Sequence, residues 1–162
     1  MEAVSVLSAQ SIRSVPDLVL PFNERSVIGG MSYGLSACGY DVRVKESITL
    51  PSAGFTLAST VERFKMPDNV MGVVHDKSTW ARMGVQVQNT VIEPGWEGYL
   101  TLELSLATIH FRYPAEEYRR IFIPAGSPIA QIVFHWLDKP TELPYTGKYQ
   151  NQAEGPQGAR FE

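Results

Sequence analysis

Cysteine and histidine are scarce in this chain. Its 162 residues include one cysteine, Cys38, and three histidines, His75, His110 and His135. A single cysteine excludes a disulfide within the chain. A zinc site needs several His or Cys side chains at ligand spacing, and these histidines lie on different predicted elements without that spacing. The sequence therefore predicts a protein without zinc.

Positive charge and long apolar runs are also lacking. The formal net charge is -3, whereas a large nucleic-acid footprint normally needs a basic surface. No stretch approaches the roughly 18 apolar residues needed to cross a bilayer. Residues 1–10 have neither the basic start nor the apolar run of a signal peptide. We therefore expect a cytoplasmic protein that binds neither nucleic acid nor membrane.

Two common glycine motifs are missing as well. The sequence has no GxxxxGK[ST] phosphate loop and no GxGxxG after a strand. A small phosphate ligand is still possible, because a few local Lys and Arg side chains are enough to bind one.

Alternation of apolar and polar residues is abundant and predicts many short strands. Proline and glycine punctuate them, which is typical of a barrel or sandwich. One short helix is predicted over Ser8 to Val15, with Ser8 as N-cap. We expect a single mainly β domain over residues 1–162, with strands over Asp17–Phe22, Tyr40–Val44, Ser47–Leu50, Gly54–Ser59, Gly84–Thr90, Tyr99–Leu106 and Ile129–Trp136.

The segment Tyr99 to Leu106 alternates cleanly. Its even-numbered leucines share one face, so Thr101, Glu103 and Ser105 share the other. A carboxylate in the middle of such a strand either faces solvent or is held by partners. The spacing alone leaves both possibilities open for Glu103.

A second polar group precedes this strand. Lys77, Ser78 and Thr79 offer a cation, two hydroxyls and backbone amides at a strand end, which suits phosphate oxygens. Arg82 follows Ser78 by four residues, and Glu93 begins a rigid Glu-Pro-Gly-Trp turn. The alternative is that these are surface charges and a turn residue without a shared function.

Five segments, in the same order along the chain, resemble the dCTP deaminase family of the dUTPase-like superfamily. No single match is specific, but together they are. The segments are SYGLS at 32–36, GYDVR at 39–43, KSTWAR at 77–82, EPGWEGYLTLE at 93–103 and GKYQ at 147–150 followed by Gln152. The resemblance implies a distorted, jelly-roll-like β-barrel of the β-clip type and zinc-independent deamination of dCTP to dUTP and ammonia.

The resemblance also implies the site. Glu103 matches the family's general base, and Arg82 and Ser78 match residues that position water and the reacting end of the base. Mg²⁺ is expected with the triphosphate, bound through phosphate and not by the protein. A homotrimer with sites between subunits is implied, in which one chain supplies Ser78 and Arg82 to its neighbour. The substrate-binding residues are predicted to be Lys77, Thr79, Glu93, Trp96, Gln131, Tyr145, Lys148 and Gln152.

Two further segments carry expectations. Residues 146–162 are rich in Gly and Gln and cannot form a core of their own, so alone they predict a frayed end. The family match instead favours a flap that closes over the ligand. Residues 111–120 are charged around Pro114 and are predicted to form a long hairpin loop. Asp41 is expected to organise the fold and subunit contact, not to perform chemistry.

Alternative functions stay open. A dUTPase, or a bifunctional enzyme that also cleaves the triphosphate to give dUMP, shares the predicted fold and the GYD segment. dUTPases activate water with an aspartate in the turn that holds Glu93 here. A non-catalytic nucleotide-binding regulator is a further alternative, although it would not need Glu103, Ser78 and Arg82.

Overall fold

Short amphipathic strands make up most of the protein. The computed structural model describes residues 5–107 and 120–161. Within these ranges the helices are α1 (Ala9–Ser14) and α2 (Ser78–Ala81). The strands are β1 (Val19–Leu20), β2 (Ser26–Ile28), β3 (Met31–Leu35), β4 (Tyr40–Arg43), β5 (Ile48–Pro51), β6 (Phe55–Lys65), β7 (Val70–Asp76), β8 (Val85–Val87), β9 (Val91–Ile92), β10 (Glu97–Leu106), β11 (Arg120–Ile123) and β12 (Pro128–Trp136).

The described strands form three antiparallel sheets. One has the order β1-β6-β10-β8, another the order β2-β3-β4-β12-β7-β9, and the third pairs β11 with β5. An isolated bridge between Val44 and Thr60 links the strand region after β4 to β6. This arrangement confirms the predicted mainly β class, since none of the sheets is built from βαβ units.

The core lies between the sheets and follows the alternation of the strands. On β10, Leu102 and Leu104 are 1% and 0% exposed, and Leu100 and Leu106 are also buried. Each such leucine contributes roughly 2 kcal/mol relative to an exposed position. Burial of this face fixes the register of β10 and turns Thr101, Glu103 and Ser105 to the opposite face, as the alternation predicts.

Strand β6 extends past the predicted limit. Its alternation was expected to end at Ser59, but the strand continues to Lys65. Thr60 and Glu62 occupy buried positions of this extension, and both are fully buried. Glu62 accepts hydrogen bonds from the backbone N–H of Arg43 at 2.9 Å and from its Nε at 2.8 Å. Polar residues at buried positions break the hydrophobic alternation, which is why the sequence pattern ends too early.

Several other bounds differ from prediction. Within the range predicted as a strand over Asp17–Phe22, only β1 forms one. Within the range predicted over Gly84–Thr90, only β8 does. Strand β7 was not predicted, because its run VMGVVHD is buried at Val70, Gly72 and Val74 without clean polar alternation. The charged hairpin loop predicted over residues 111–120 lies outside the described ranges except for Arg120, which begins β11.

A second short helix joins the predicted one. Helix α1 confirms the helix expected over Ser8 to Val15, but α2 was not predicted. It is a single turn, in which the backbone N–H of Arg82 donates to the carbonyl oxygen of Ser78 at 3.1 Å. Trp80 anchors it by donating from Nε1 to the carbonyl of Pro128 at 2.7 Å. Four residues are too few to produce a helical period in the sequence.

No helix in the described ranges has the length and apolar character needed to span a bilayer.

Candidate active site

Strand β10 presents a carboxylate on its non-leucine face. Glu103 is partly buried there, and burial raises the pKa of its carboxyl above the ordinary value, while its own backbone N–H opposes the shift. Among the described residues, no cationic side chain lowers the pKa of this carboxyl. A carboxylate that is desolvated without a cation has a pKa moved towards neutrality, which suits a general base.

Glu103 faces a cavity of about 640 Å³. That volume is in the range of small-molecule sites. Five of the predicted site residues meet here, namely Glu93, Trp96, Glu103, Tyr145 and Gln152. We call this space the Glu103 cavity. Its walls also include side chains that the sequence did not single out, among them Phe55, Thr101, Tyr149 and Gln157.

Some of these additional wall residues had a signal in the sequence. Thr101 shares the alternation face of Glu103, and Tyr149 stands inside the GKYQ segment. Gln157 lies within the predicted flap, residues 146–162. Phe55 had no signal, since it reaches the cavity through the fold from a distant part of the chain.

A smaller cavity of about 440 Å³ contains three more of the predicted residues, Lys77, Ser78 and Gln131. We call it the Lys77 cavity. Lys77 Nζ donates to Asp41 Oδ2 at 2.8 Å, and Gln131 Nε2 donates to Asp41 Oδ1 at 3.3 Å. The side chains of Lys77 and Asp41 are only 10% and 7% exposed. Asp41 thus ties β4 to the end of β7 and to β12, in agreement with its expected role in the fold.

Three predicted residues line neither cavity. Thr79 and Arg82 are exposed on and just after α2, and Lys148 is exposed with its Nζ 5.7 Å from the centre of the Tyr149 ring. Within the described chain, Arg82 forms no ion pair with Glu103. One chain therefore does not by itself assemble the predicted set of Glu103, Arg82 and Ser78.

The segment after Lys148 packs along β10 and forms part of the wall of the Glu103 cavity. The Trp96 Nε1 donates to the carbonyl of Tyr149 at 2.8 Å. Gln150 accepts from the Glu97 N–H at 2.9 Å and donates to the carbonyl of Gly95 at 2.8 Å. Lys45 and Glu154 form an exposed ion pair at 2.5 Å. The predicted opening and closing of this segment stays a prediction.

Gln152 has a different environment from the one predicted. Its Nε2 donates to the carbonyl of Tyr99 at 2.8 Å and to Thr101 Oγ1 at 2.7 Å. An amide NH₂ has two donors, so both are used within the chain. A phosphate needs donors, and in this conformation Gln152 holds the tail instead of offering one.

Metal ligands are not clustered in the described part of the chain. No group of three or more His, Cys, Asp or Glu side chains there has the geometry to hold an ion.

Several known proteins resemble this chain in sequence or in fold. A family model described as dCTP deaminase-like matches residues 36–137. A dCTP deaminase of Acidobacterium capsulatum is 35% identical over 184 aligned residues, which cover 92% of this chain and 96% of the relative. A dCTP deaminase of Campylobacter jejuni is 36% identical over 168 residues, covering 83% of this chain and 86% of the relative.

Solved structures share the fold at low identity. The 2'-deoxycytidine 5'-triphosphate deaminase of Agrobacterium tumefaciens matches with a TM-score of 0.63 and 16% identity over 82% of this chain, and this chain spans about half (48%) of it. A mutant dUTPase from phage phi11 of S. aureus, described with a structural Mg(II) ion, matches with a TM-score of 0.56 and 14% identity, covering 91% of this chain and 99% of the phage protein. These likenesses concern the fold, whereas the curated relatives and the family model show the lineage. The chain belongs to the dCTP deaminase family.

Proposed function

We propose that this protein removes the exocyclic amino group of dCTP by hydrolysis to give dUTP and ammonia. The observation that carries the proposal is the partly buried carboxylate of Glu103 in a cavity of about 640 Å³, where burial raises its pKa. The family membership and the two curated dCTP deaminases above support the same reaction.

In this proposal Glu103 acts as the general base. Its carboxylate takes a proton from water, the water oxygen bonds to C4 of the cytosine ring, the C4–N3 double bond opens, and N3 accepts that proton. Glu103 then takes the proton of the C4 hydroxyl and passes it to the amino nitrogen, whose bond to C4 breaks as the C4 carbonyl forms, so water and dCTP are consumed and dUTP and ammonia are formed. A base with a pKa near the working pH performs both transfers efficiently. Hydrogen-bond donors placed around the developing charge lower the barrier further.

Substrate binding is divided between the cavities. Glu93, Trp96 and Tyr145 line the Glu103 cavity, where base and deoxyribose would lie. Lys77, Ser78 and Gln131 line the Lys77 cavity, where the exposed hydroxyl of Ser78 suits a phosphate oxygen or a reacting water. We propose that Mg²⁺ binds to the phosphate oxygens of the nucleotide, where it would neutralise part of the triphosphate charge. Cytoplasmic location remains a prediction of the sequence.

Because the two halves of the predicted site lie in separate cavities of one chain, we propose that a second copy completes each site. A homotrimer would place Ser78 and Arg82 of one chain beside Glu103 of the next. Arg82 is exposed and forms no ion pair with Glu103 in its own chain, which leaves it available for such a contact.

Subunit complementation tests this assembly. Glu103→Gln and Ser78→Ala should each abolish most ammonia release alone. Coexpressed and purified together, they should recover roughly a quarter of the wild-type rate, because mixed interfaces pair an intact Glu103 with an intact Ser78. Mixed oligomers, verified by two different affinity tags, that stay as inactive as either parent would rule out a shared site.

One observation favours a second candidate function. Glu93 and Glu103 line the same cavity, so a second carboxylate stands on the turn where dUTPases carry their water-activating aspartate. A bifunctional enzyme would use it to cleave the triphosphate and release dUMP and pyrophosphate. The same site would serve a dUTPase that lacks deaminase activity.

A single assay separates these candidates. The protein is incubated with dCTP or dUTP and magnesium, ammonia and pyrophosphate are measured, and the nucleotides are separated by chromatography. Ammonia with dUTP is the expected result, whereas ammonia with dUMP and pyrophosphate indicates the bifunctional enzyme. Pyrophosphate from dUTP without ammonia from dCTP would overturn the deaminase proposal, and neither product would favour a binding protein without catalysis.

A further inference from the structure

One edge of β10 is completed by the tail of the chain. Strand β6 pairs along β10 from Glu97 to Ser105, whereas β8 pairs with its other edge only from Leu104 to Leu106. The tail covers part of the remaining edge, where the Tyr99 N–H donates to the carbonyl of Gln152 at 3.0 Å. The approach is close, since a Cβ on Gly98 would lie 2.7 Å from the Gln152 nitrogen.

The side chain of Thr101 joins two separate points of this tail. Its Oγ1 accepts from Gln152 Nε2 at 2.7 Å and from the backbone N–H of Gln157 at 3.0 Å. A hydroxyl oxygen has two acceptor lone pairs, so both are occupied by the tail. Thr101 is 8% exposed, which shields these bonds from competition by water. We call the Thr101 hydroxyl with its two tail donors the Thr101 latch.

The two parts of the chain that the latch joins, β10 and the tail, both line the Glu103 cavity. Gln157, Gly158 and Ala159 line that cavity directly after the latched N–H. Glu103 follows Thr101 by two residues on the same face of β10. The position of the tail and the position of the carboxylate are therefore set by one short strand segment.

A second attachment of the tail does not involve Thr101. Tyr149 and Gln150 are held by Trp96, Glu97 and Gly95 at the turn before β10. Loss of the latch would therefore loosen the tail at Gln157, while residues 149–150 and the backbone contact of Gln152 with Tyr99 stay in place.

We propose that Thr101 is a positioning residue that fixes the tail against the Glu103 cavity and so sets the affinity for nucleotide. The nature of the ligand rests on the proposed function, but the latch itself does not. Thr101 contacts the tail and need not touch the reacting atoms.

Hydrogen exchange of the nucleotide-free protein tests the latch. Thr101→Val keeps the shape of the side chain and removes the acceptor, so the Gln157 amide should exchange at least about tenfold faster. Thr101→Ser keeps the hydroxyl and should restore exchange close to wild type. The Tyr145 amide, which donates to the carbonyl of Pro94 at 2.8 Å, serves as the internal control and should not change. Unchanged exchange at Gln157 in the valine variant would overturn the latch.

Nucleotide affinity tests the coupling. Loss of two hydrogen bonds should raise the KM for dCTP by about tenfold in Thr101→Val, with kcat within about threefold and with Thr101→Ser near wild type. The dissociation constant of dCTP, measured by calorimetry in the Glu103→Gln background, should rise in parallel and does not depend on turnover. Faster exchange at Gln157 with unchanged dCTP affinity would contradict the coupling.

A second variant guards against misfolding of the first. Gln152→Leu removes one tail donor and leaves Thr101 in place, and it should also accelerate exchange at Gln157. If the wild-type protein releases no ammonia, the proposed function fails, while the exchange measurements still decide whether the latch exists.

Discussion

The two cavities differ in how their charged groups are balanced. In the Lys77 cavity, Lys77 and Asp41 form a nearly buried ion pair, and Gln131 donates to the same carboxylate. In the Glu103 cavity, the carboxylate of Glu103 is partly buried without a contributing cation from the described residues. One cavity is electrostatically satisfied, and the other contains a group whose ionisation is disfavoured.

This difference separates two uses of an acidic residue. A carboxylate that is paired and hydrogen-bonded holds elements together, since removing either partner leaves a buried charge. A carboxylate that is desolvated without a partner has little structural value but is shifted towards the pKa that proton transfer needs. Asp41 fits the first description and Glu103 fits the second.

Replacement of Glu103 should give the largest effect. In Glu103→Gln, deaminase turnover should fall by about 1,000-fold, because a general base contributes about 100- to 10,000-fold. Binding of dCTP should be retained, since the amide keeps the shape of the side chain. Ammonia release and calorimetric titration with dCTP measure the two effects.

Glu142→Gln is the matched control, because Glu142 is exposed and lines neither cavity. Its turnover should equal that of the wild type. In the wild-type protein, kcat/KM should rise with pH through a pKa above the ordinary value for glutamate. Turnover within about tenfold of wild type in Glu103→Gln would remove Glu103 from the catalytic role.

Replacement of Asp41 should give the next largest effect, on stability. Asp41→Asn leaves the nearly buried Lys77 without its counter-charge, so the free energy of unfolding should fall by about 3 kcal/mol. Urea denaturation measures it. The double variant Asp41→Asn/Lys77→Met should lose less than the sum of the single variants, because the unpaired charge is gone. A loss under about 0.5 kcal/mol in Asp41→Asn would show that the pair is not structural.

The smallest effect is a pH-dependent stabilisation by Glu103→Gln. Folding raises the pKa of Glu103, so its protonated form is favoured in the folded state. Its contribution is fully present below the unfolded pKa near 4.5 and is lost as pH rises through the folded pKa. The variant should therefore be more stable than wild type at pH 7.5, by under about 1 kcal/mol, with a difference that shrinks towards pH 4.5. Equal differences in urea denaturation at both pH values would contradict the raised pKa.

Much of the fold was predictable from local pattern. The alternation in Tyr99–Leu106 correctly gave both faces of β10, because burial of the leucines leaves only one register. The pattern failed where tertiary contacts replaced hydrophobicity. Glu62 is buried only because Arg43, from another strand, satisfies it, and no local signal reports such a partner.

The candidate site was predictable only in part. Five of the predicted residues line the Glu103 cavity, although they come from three stretches of the chain, residues 93–103, Tyr145 and Gln152. The position of Gln152 was not predictable, because its two donors depend on where the edge of β10 is left open by β8. The assignment of catalytic roles to Glu103, Ser78 and Arg82 stays a prediction.

The sequence by itself determined the strand alternation, the scarcity of cysteine and histidine and the motifs that mark the family, since these depend on residue type and spacing. Tertiary structure alone decided that Glu103 is desolvated, that Lys77 is neutralised by Asp41, and that the tail joins the edge of β10. Burial and pairing depend on which distant segments pack together. The spacing of residues along the chain does not show which distant segments pack together in space.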